Sequence, residues 1–520
     1  MIFYKNGEIM KTKKLNFFER FLNFFENVGN KMPDPVTLSF ILCILVIIIS
    51  KFVATTGISA IHPKSGETLL AVDLLTKTGF QKIFTSIISN FQGFPPLGVV
   101  LVTMFGAGVA EKTGFMEELL KVTTVKIPKP LVTACILFIG ILANAAGDAG
   151  FIILPPLAAI IFISLKRHPL VGMLAAYAGV AAGFAANIFI SISDVLAATF
   201  TIPAAQILDK NYTGTVAMNF YFLFVSTFVL VITGVFVTEK IIAPRFEGVE
   251  YDYHDEKIKD ALDEDTRKKA LKYSLISLGI FSVIVILLCI GDNAFFRDPE
   301  TGSLTSSSSI LMKSIVLLVT LAFFIPGVVY GIIVKKIRTD KDLVHLMGQS
   351  MSDMGLYIVL AFASAQFLAF FNESNLASIF SIKGAEGLKN LGISGIPLMI
   401  LFIILSSVIN LFIGSASAKW AIMAPIFVPM FMLLGYNPAL IQMAYRIGDS
   451  VTNPLSPLFP YFPILLAVAR KYDKKAGLGT LISNMIPYSL FFGIVWTLLL
   501  ILFIIFNIPL GPDAGIHYSF

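Results

Sequence analysis

"AYRIGDSVTNPLSPLFPYFP", residues 444–463, lies between apolar runs, yet it carries Arg446 and Asp449 and then prolines at 454, 457, 460 and 463. A charge at the centre of a bilayer costs about 3 kcal/mol or more on insertion scales, so such residues usually face a cavity and mark function. Each proline removes a backbone N–H and ends or kinks a helix. Unwound backbone is tolerated inside a membrane only where protein buries it or where it lines a cavity. The stretch therefore predicts a membrane segment broken beside two charges.

The rest of the chain supplies the membrane context. Its 520 residues are 56% hydrophobic and 14% charged, with mean hydropathy +0.83, against about 25% charged in soluble proteins. Several apolar runs approach the roughly 20 residues that a helix needs to cross the hydrocarbon. A β-barrel would show short alternating segments instead. The fold class is an all-α polytopic membrane protein. Cys43, Cys135 and Cys289 all fall in apolar runs and give neither a disulfide framework nor a metal spacing. The net charge of +6 says less than where the charge lies, and it does not point to nucleic acid. The basic first 35 residues precede an apolar run without a small-residue cleavage site, which predicts an uncleaved first span.

Ordinary spans are expected at 36–56, 96–112, 218–240, 273–291, 310–334, 350–372 and 484–508. Residues 130–165 and 396–434 are too long for one crossing and broken near the middle, so they are expected to be re-entrant hairpins. Residues 170–200 and 438–469 have crossing length but are interrupted by Gly, Asn, Asp and Pro. Nine crossings result. With the amino end in the cytoplasm, inside segments hold 28 of the 39 Lys and Arg and outside segments hold 9, as the positive-inside rule asks. The carboxyl end is then external. The expected organisation is a cytoplasmic segment 1–35, scaffold spans 36–129, a first hairpin and broken span 130–200, and scaffold spans 201–395 with a cytoplasmic linker 241–272. A second hairpin and broken span 396–469 follow, then a last span and external end 470–520.

The two unusual regions resemble each other. Pro155 to Pro169 spans 14 residues and Pro425 to Pro438 spans 13, while Pro169 to Gly179 and Pro438 to Gly448 each span 10. The hairpins enter from opposite sides, which makes the repeat inverted. Paired interrupted segments in two such halves point to a transporter's substrate site near the midplane.

Arg446 and Asp449 sit at i, i+3. They are either a salt bridge that locks the broken span, or a carboxylate-binding Arg beside an Asp that serves a cation or proton site. Asp194 is the lone acid of the first broken span, read as interfacial or functional. Asp148 at the first hairpin tip is a capping or ion-site residue. Lys419 would balance Asp449 or the substrate, and Trp420 would stack on an aromatic group or anchor at the interface. Asn144, Asn187, Ser415, Ser417 and Asn453 supply oxygen ligands suited to a hard monovalent cation. No metal motif, phosphate loop or nucleophile–base pair is evident, so no enzyme and no resident cofactor is expected. Energy would come from an ion gradient, with Na⁺ as a candidate coupling ion. A channel remains the reading from another class.

"NKMPDPVTLSF", "NAAGDAGFIILPPLAA", "AGFAANIFISISDVLAA", "GSASAKWAIMAPIFVPM" and "YRIGDSVTNPLSPLFPYFP" resemble the p-aminobenzoyl-glutamate transporter (AbgT) family over about residues 20–510. The resemblance implies nine spans and two opposed hairpins, a homodimer in the inner (plasma) membrane, and a transport domain moving against a scaffold. It implies a small-molecule substrate resembling p-aminobenzoyl-glutamate, coupled to Na⁺ or H⁺, or alternatively proton-driven export of sulfonamide-type antimetabolites. The family's important positions carry over to Asp194, Ser417, Trp420, Pro438, Arg446, Asp449 and Pro457.

Overall fold

The computed structural model describes residues 33, 35–61, 66–125, 131–144, 149–252, 263–291, 293–306, 308–456, 459 and 461–519. Helices follow the apolar runs. The first quarter holds α1 (Pro35–Thr56), α2 (Lys77–Gln92), α3 (Pro95–Thr113) and α4 (Phe115–Val125). Between α1 and α2 a short antiparallel ladder pairs β1 (Ser59–Ile61) with β2 (Thr68–Leu70). The next group is α5 (Val132–Ala143), α6 (Ala149–Ser164), α7 (Pro169–Tyr177) with a π-helical turn at Ala178–Ala182, and α8 (Ile192–Ala205). The middle of the chain forms α9 (Phe220–Val237), α10 (Glu264–Leu287), α11 (Ile310–Ile333), α12 (Asp340–Asp353), α13 (Gly355–Glu373) and α14 (Leu376–Asn390). The last group is α15 (Gly395–Asn410), α16 (Ala416–Met432), α17 (Pro438–Thr452) with a 3₁₀ turn at Asn453–Leu455, α18 (Phe462–Tyr472) and α19 (Leu478–Ile505).

Among the described residues six helices are long and apolar enough to cross a bilayer, or seven if α12 and α13, bent by 48°, count as one. Six more apolar helices run only 10–17 residues, short of the roughly 20 a crossing needs. These are α5 to α8, α15 and α16. They fall where the sequence predicts hairpins and an interrupted span.

Both broken spans are interrupted. α7 starts on Pro169 behind His168 and passes into the π-helical turn, after which residues 183–191 have no regular structure. α17 starts on Pro438 behind Asn437, whose side chain accepts from the Ala439 N–H, and it ends in the 3₁₀ turn ahead of α18. Proline at the first helical position costs nothing, because that N–H has no partner within the helix.

The matched glycines have a physical reason. A Cβ on Gly179 would lie 2.8 Å from the Leu137 carbonyl oxygen, and one on Gly448 would lie 2.4 Å from that of Ile403. Leu137 is on α5 and Ile403 on α15, the first arm of each hairpin. In each half the broken span therefore lies backbone against backbone on its own hairpin. The packing leaves α17 buried along its length, from Pro438 to Val451.

Two expectations need correction. α10 begins at Glu264, well before 273, because Asp263 caps it by accepting from the Thr266 N–H and Glu264 pairs with Lys268 at 2.5 Å. The basic end of the expected linker is thus the first turns of the helix. The ladder and the helices α2, α4, α12 and α14 are absent from the sequence expectation, because their mixed composition passes beneath a hydropathy count.

Gly448→Ala should destabilise the protein by roughly 1–3 kcal/mol, the usual cost of overpacking. Gly279→Ala on α10, where a Cβ would meet nothing within 4 Å, should be neutral or stabilising. Thermal unfolding in detergent checks this, and equal melting temperatures for the two variants would refute the close contact.

Candidate functional site

Three residues of α17 and its 3₁₀ continuation, Arg446, Ser450 and Asn453, fall at i, i+4 and i+7 and share one face. That face holds the break in the first half. Arg446 Nη1 lies 2.6 Å from Asp194 Oδ1, and Nη2 donates to the Ala185 carbonyl and to Ser193 Oγ, both at 3.2 Å. The Ala185 N–H donates to Ser450 Oγ at 3.1 Å, and Asn453 Nδ2 donates to the Ala181 carbonyl at 3.3 Å. Unwound backbone in the first half is therefore satisfied by side chains from the second.

Asp194 is placed by α8. It is the third residue of the helix, and its Oδ2 accepts from the Ser191 N–H at 2.7 Å and the Ser191 hydroxyl at 2.8 Å, completing a capping box. The amino end of a helix favours an anion, so one carboxylate both caps α8 and answers Arg446. It is 3% exposed. Its carboxylate is thus engaged by protein groups rather than open to a surface.

Asp449 turns to the second hairpin. Its Oδ1 lies 2.5 Å from Lys419 Nζ, and the lysine is fully buried. Lys419 also donates to Asn410 Oδ1 and, at 3.4 Å, to the Ile413 carbonyl. Arg446 and Asp449 are therefore not each other's partners. Each pairs with a charge from another element, and the four charges sum to zero.

Between these pairs lies a cavity of about 160 Å³. Ser193, Ser417, Arg446 and Asp449 give it a polar end, while Phe184, Leu196, Phe200 and Trp420 give it an apolar wall. The wall is fixed. Trp420 stacks on Tyr445 with centroids 4.3 Å apart and planes 20° apart, and its indole N–H donates to Thr201 Oγ1 at 2.9 Å. Thr201 Oγ1 lies 2.6 Å from Gln442 Oε1, Gln442 Nε2 donates to Asn219 Oδ1 at 2.6 Å, and the Tyr445 hydroxyl donates to the Ala416 carbonyl at 2.6 Å. A larger cavity of about 690 Å³ lies among α4, α5, α10 and α11. Its lining, such as Phe115, Leu142, Phe281 and Phe323, includes no ionisable group among the described residues, and its polar side chain there is Ser282, so it offers no charge to orient an anionic ligand.

The structure brings Arg446, Asp449, Ser417 and Trp420 to one cavity and ties Asp194 to it through Arg446. Pro438 is not there. It opens α17 eight residues before Arg446, about 12 Å along the axis, and its part in this structure is to start the helix. Asp148 and Pro457 lie outside the described residues.

The expected oxygen ligands each have protein partners, and Ser415 Oγ lies 3.4 Å from Ser417 Oγ. Ser415 caps α16 by accepting from the Ala418 N–H, and Asn187 Oδ1 accepts from the Ile188 N–H at 2.9 Å. Asn144 Nδ2 donates to the Ile141 carbonyl at 3.0 Å, while its buried Oδ1 has no partner among the described residues. Asn453 joins Asn410, whose Nδ2 donates to Asn453 Oδ1 at 2.9 Å. No group of three His, Cys, Asp or Glu that could hold a metal occurs among the described residues.

The sequence reading missed Tyr445, Ser450, Gln442 and Asn410. Gln442 and Ser450 lie four residues to either side of Arg446, so helical periodicity through the charge would have found them. Asn410 is a lone amide in an apolar arm, and nothing local ties it to Lys419.

Comparison with known proteins adds an independent line. The sequence model of the AbgT putative transporter family matches residues 20–518. The p-aminobenzoyl-glutamate transport protein of Escherichia coli is 38% identical over 487 residues, covering 94% of this chain and 95% of that protein. The Alcanivorax borkumensis YdaH transporter superposes with a TM-score of 0.88 at 37% identity, covering 92% of this chain and all of that one. Neisseria gonorrhoeae MtrF, described as illuminating a class of antimetabolite efflux pumps, superposes with a TM-score of 0.85 at 41% identity over 94% of this chain and 98% of its own.

Removing one member of a buried ion pair costs about 3–5 kcal/mol, because the other is left unpaired. Arg446→Ala and Asp194→Ala should each destabilise by that order, and the double variant by clearly less than their sum. A double-mutant cycle on unfolding checks this, and additive effects would contradict the pairing.

Proposed function

The chain belongs to the AbgT family of transporters, and from that premise we propose that it is a secondary carrier of p-aminobenzoyl-glutamate or a related aromatic amide carboxylate. The observation that carries the proposal is the cavity, which sets a guanidinium and two hydroxyls against an aromatic wall where the two broken halves meet. A carboxylate on the substrate finds the Arg446 guanidinium at the polar end of the cavity. Its ring finds Phe184, Phe200 and Trp420. Ser193 and Ser417 offer hydroxyls to the amide.

In this reading the chain makes nine crossings with two hairpins entering from opposite faces of the inner membrane, the amino end cytoplasmic and the carboxyl end external. The short lengths of α5, α6, α15 and α16 and the distribution of Lys and Arg support that topology. The transport unit is 130–200 with 396–469, moving against the remaining spans, and the assembly is a homodimer. An ion gradient, of H⁺ or Na⁺, drives the movement.

The second reading, proton-driven export of sulfonamide-type antimetabolites, is favoured by the likeness to MtrF. It uses the same cavity, and the sign of the proton gradient that drives flux separates the two.

Flux of labelled p-aminobenzoyl-glutamate into proteoliposomes under an imposed pH or Na⁺ gradient tests the proposal. Concentrative uptake under one gradient is expected, and indifference to both would rule out either carrier. Arg446→Lys keeps the charge that Asp194 needs but loses the planar fork, so KM should rise roughly 10-fold, as befits a lost charge-assisted hydrogen bond. Phe281→Leu in the larger cavity should leave KM unchanged. The reverse pattern would move the substrate to that cavity.

A further inference from the structure

We infer that the Lys419 ammonium is a tethered cation filling a monovalent-cation site at the tip of the second hairpin, so that this half operates without a bound metal ion. An ammonium has three N–H donors, and Lys419 Nζ meets three oxygens: Asp449 Oδ1 at 2.5 Å, the Ile413 carbonyl at 3.4 Å, and Asn410 Oδ1. One carboxylate, one amide carbonyl and one backbone carbonyl from the turn between α15 and α16 are the donor types that hard cations take.

The cage is held from behind. The two N–H of Asn410 Nδ2 have three oxygens in reach, the Asp449 carbonyl at 2.6 Å, Thr452 Oγ1 at 2.9 Å and Asn453 Oδ1 at 2.9 Å. Those bonds fix the amide with its oxygen towards Lys419. Asn453 in turn donates to Ala181 in the π-helical turn, so the occupied cage is wired to the break in the first half.

The position of the lysine argues the same way. Lys419 is in the first turn of α16, where the helix dipole opposes a cation, and it is fully buried. Burial and dipole both disfavour the charge, and the three oxygens offset them. Most lysines extend to water, whereas this one ends inside an oxygen cage built by two separate segments, residues 410–413 and Asp449 of α17. In the first half the corresponding tip, residues 144–150, contains no basic residue. A tethered cation of this kind is therefore available to the second hairpin, whereas the residues of the first tip supply none. The inference deepens the carrier reading, because it says that coupling does not draw Na⁺ at this hairpin.

The test is thermal unfolding of the full-length protein in detergent, in NaCl against choline chloride at equal ionic strength. Lys419→Ala vacates the cage, and its melting temperature should rise by several degrees with Na⁺, saturating over the millimolar range and exceeding any response of the wild type. Lys419→Met/Asp449→Leu, an apolar replacement of a buried ion pair and so often tolerated, should show no such gain. A Lys419→Ala response no larger than that of the wild type would overturn the inference. So would the same gain in the double variant, or a single variant unfolded in both salts, since the vacated oxygens would then be taking no Na⁺. Failure of the carrier reading would appear as absent flux in proteoliposomes and would leave this Na⁺ response intact.

Discussion

A helix buried on every side cannot hand its charges to water, so Arg446 and Asp449 on α17 draw partners from the elements packed around them. Arg446 takes Asp194 from the first half, and Asp449 takes Lys419 from the second hairpin. In a low-dielectric interior an unpaired charge would cost several kcal/mol, and this cost dictates which elements must touch α17. α8 must bring its amino end to Arg446, and the tip of the second hairpin must bring Lys419 to Asp449. The cavity is the space between these two obligatory contacts, so its polar end follows from how the charges are neutralised.

A second constraint sets how closely the halves are built. Gly179 and Gly448 let each broken span approach the backbone of its own hairpin arm. These approaches hold the π-helical turn after α7 against α5, and α17 against α15. The side chains that satisfy the first break come from α17, through Arg446, Ser450 and Asn453, and Phe151 of α6 stacks on Tyr461 beside the second break at 4.2 Å. The second half thus supplies partners that the first half's unwound backbone lacks. This explains why the breaks survive in an apolar surrounding, since exposed backbone groups there need partners from protein.

The sequence made the breaks legible because Pro and Gly act locally. Pro169 and Pro438 start helices wherever they stand, and the ten-residue step to Gly179 and Gly448 survives as a packing contact. The composition made most of the long helices legible for the same reason. Partner choice was not legible. The spacing of Arg446 and Asp449 permits a pair within one helix, but the pairs form with Asp194 and Lys419, residues 252 and 30 positions away. Nor does sequence spacing show that Ser415 spends its hydroxyl on a helix cap, or that Pro438 stops two turns short of the cavity. Those outcomes depend on tertiary geometry that no local pattern carries.

The neutrality of the two pairs bears on how an anion is admitted. Lys419 has all three of its N–H donors engaged by oxygens, so among the described residues Arg446 is the cation that can turn to a substrate carboxylate. Its guanidinium is already met by Asp194, which is itself held by the Ser191 N–H and hydroxyl. Two carboxylates cannot share that guanidinium in a dry cavity without repulsion. On the carrier reading, a substrate carboxylate therefore competes with Asp194 for Arg446, and the capping bonds to Ser191 keep α8 in place while it does so.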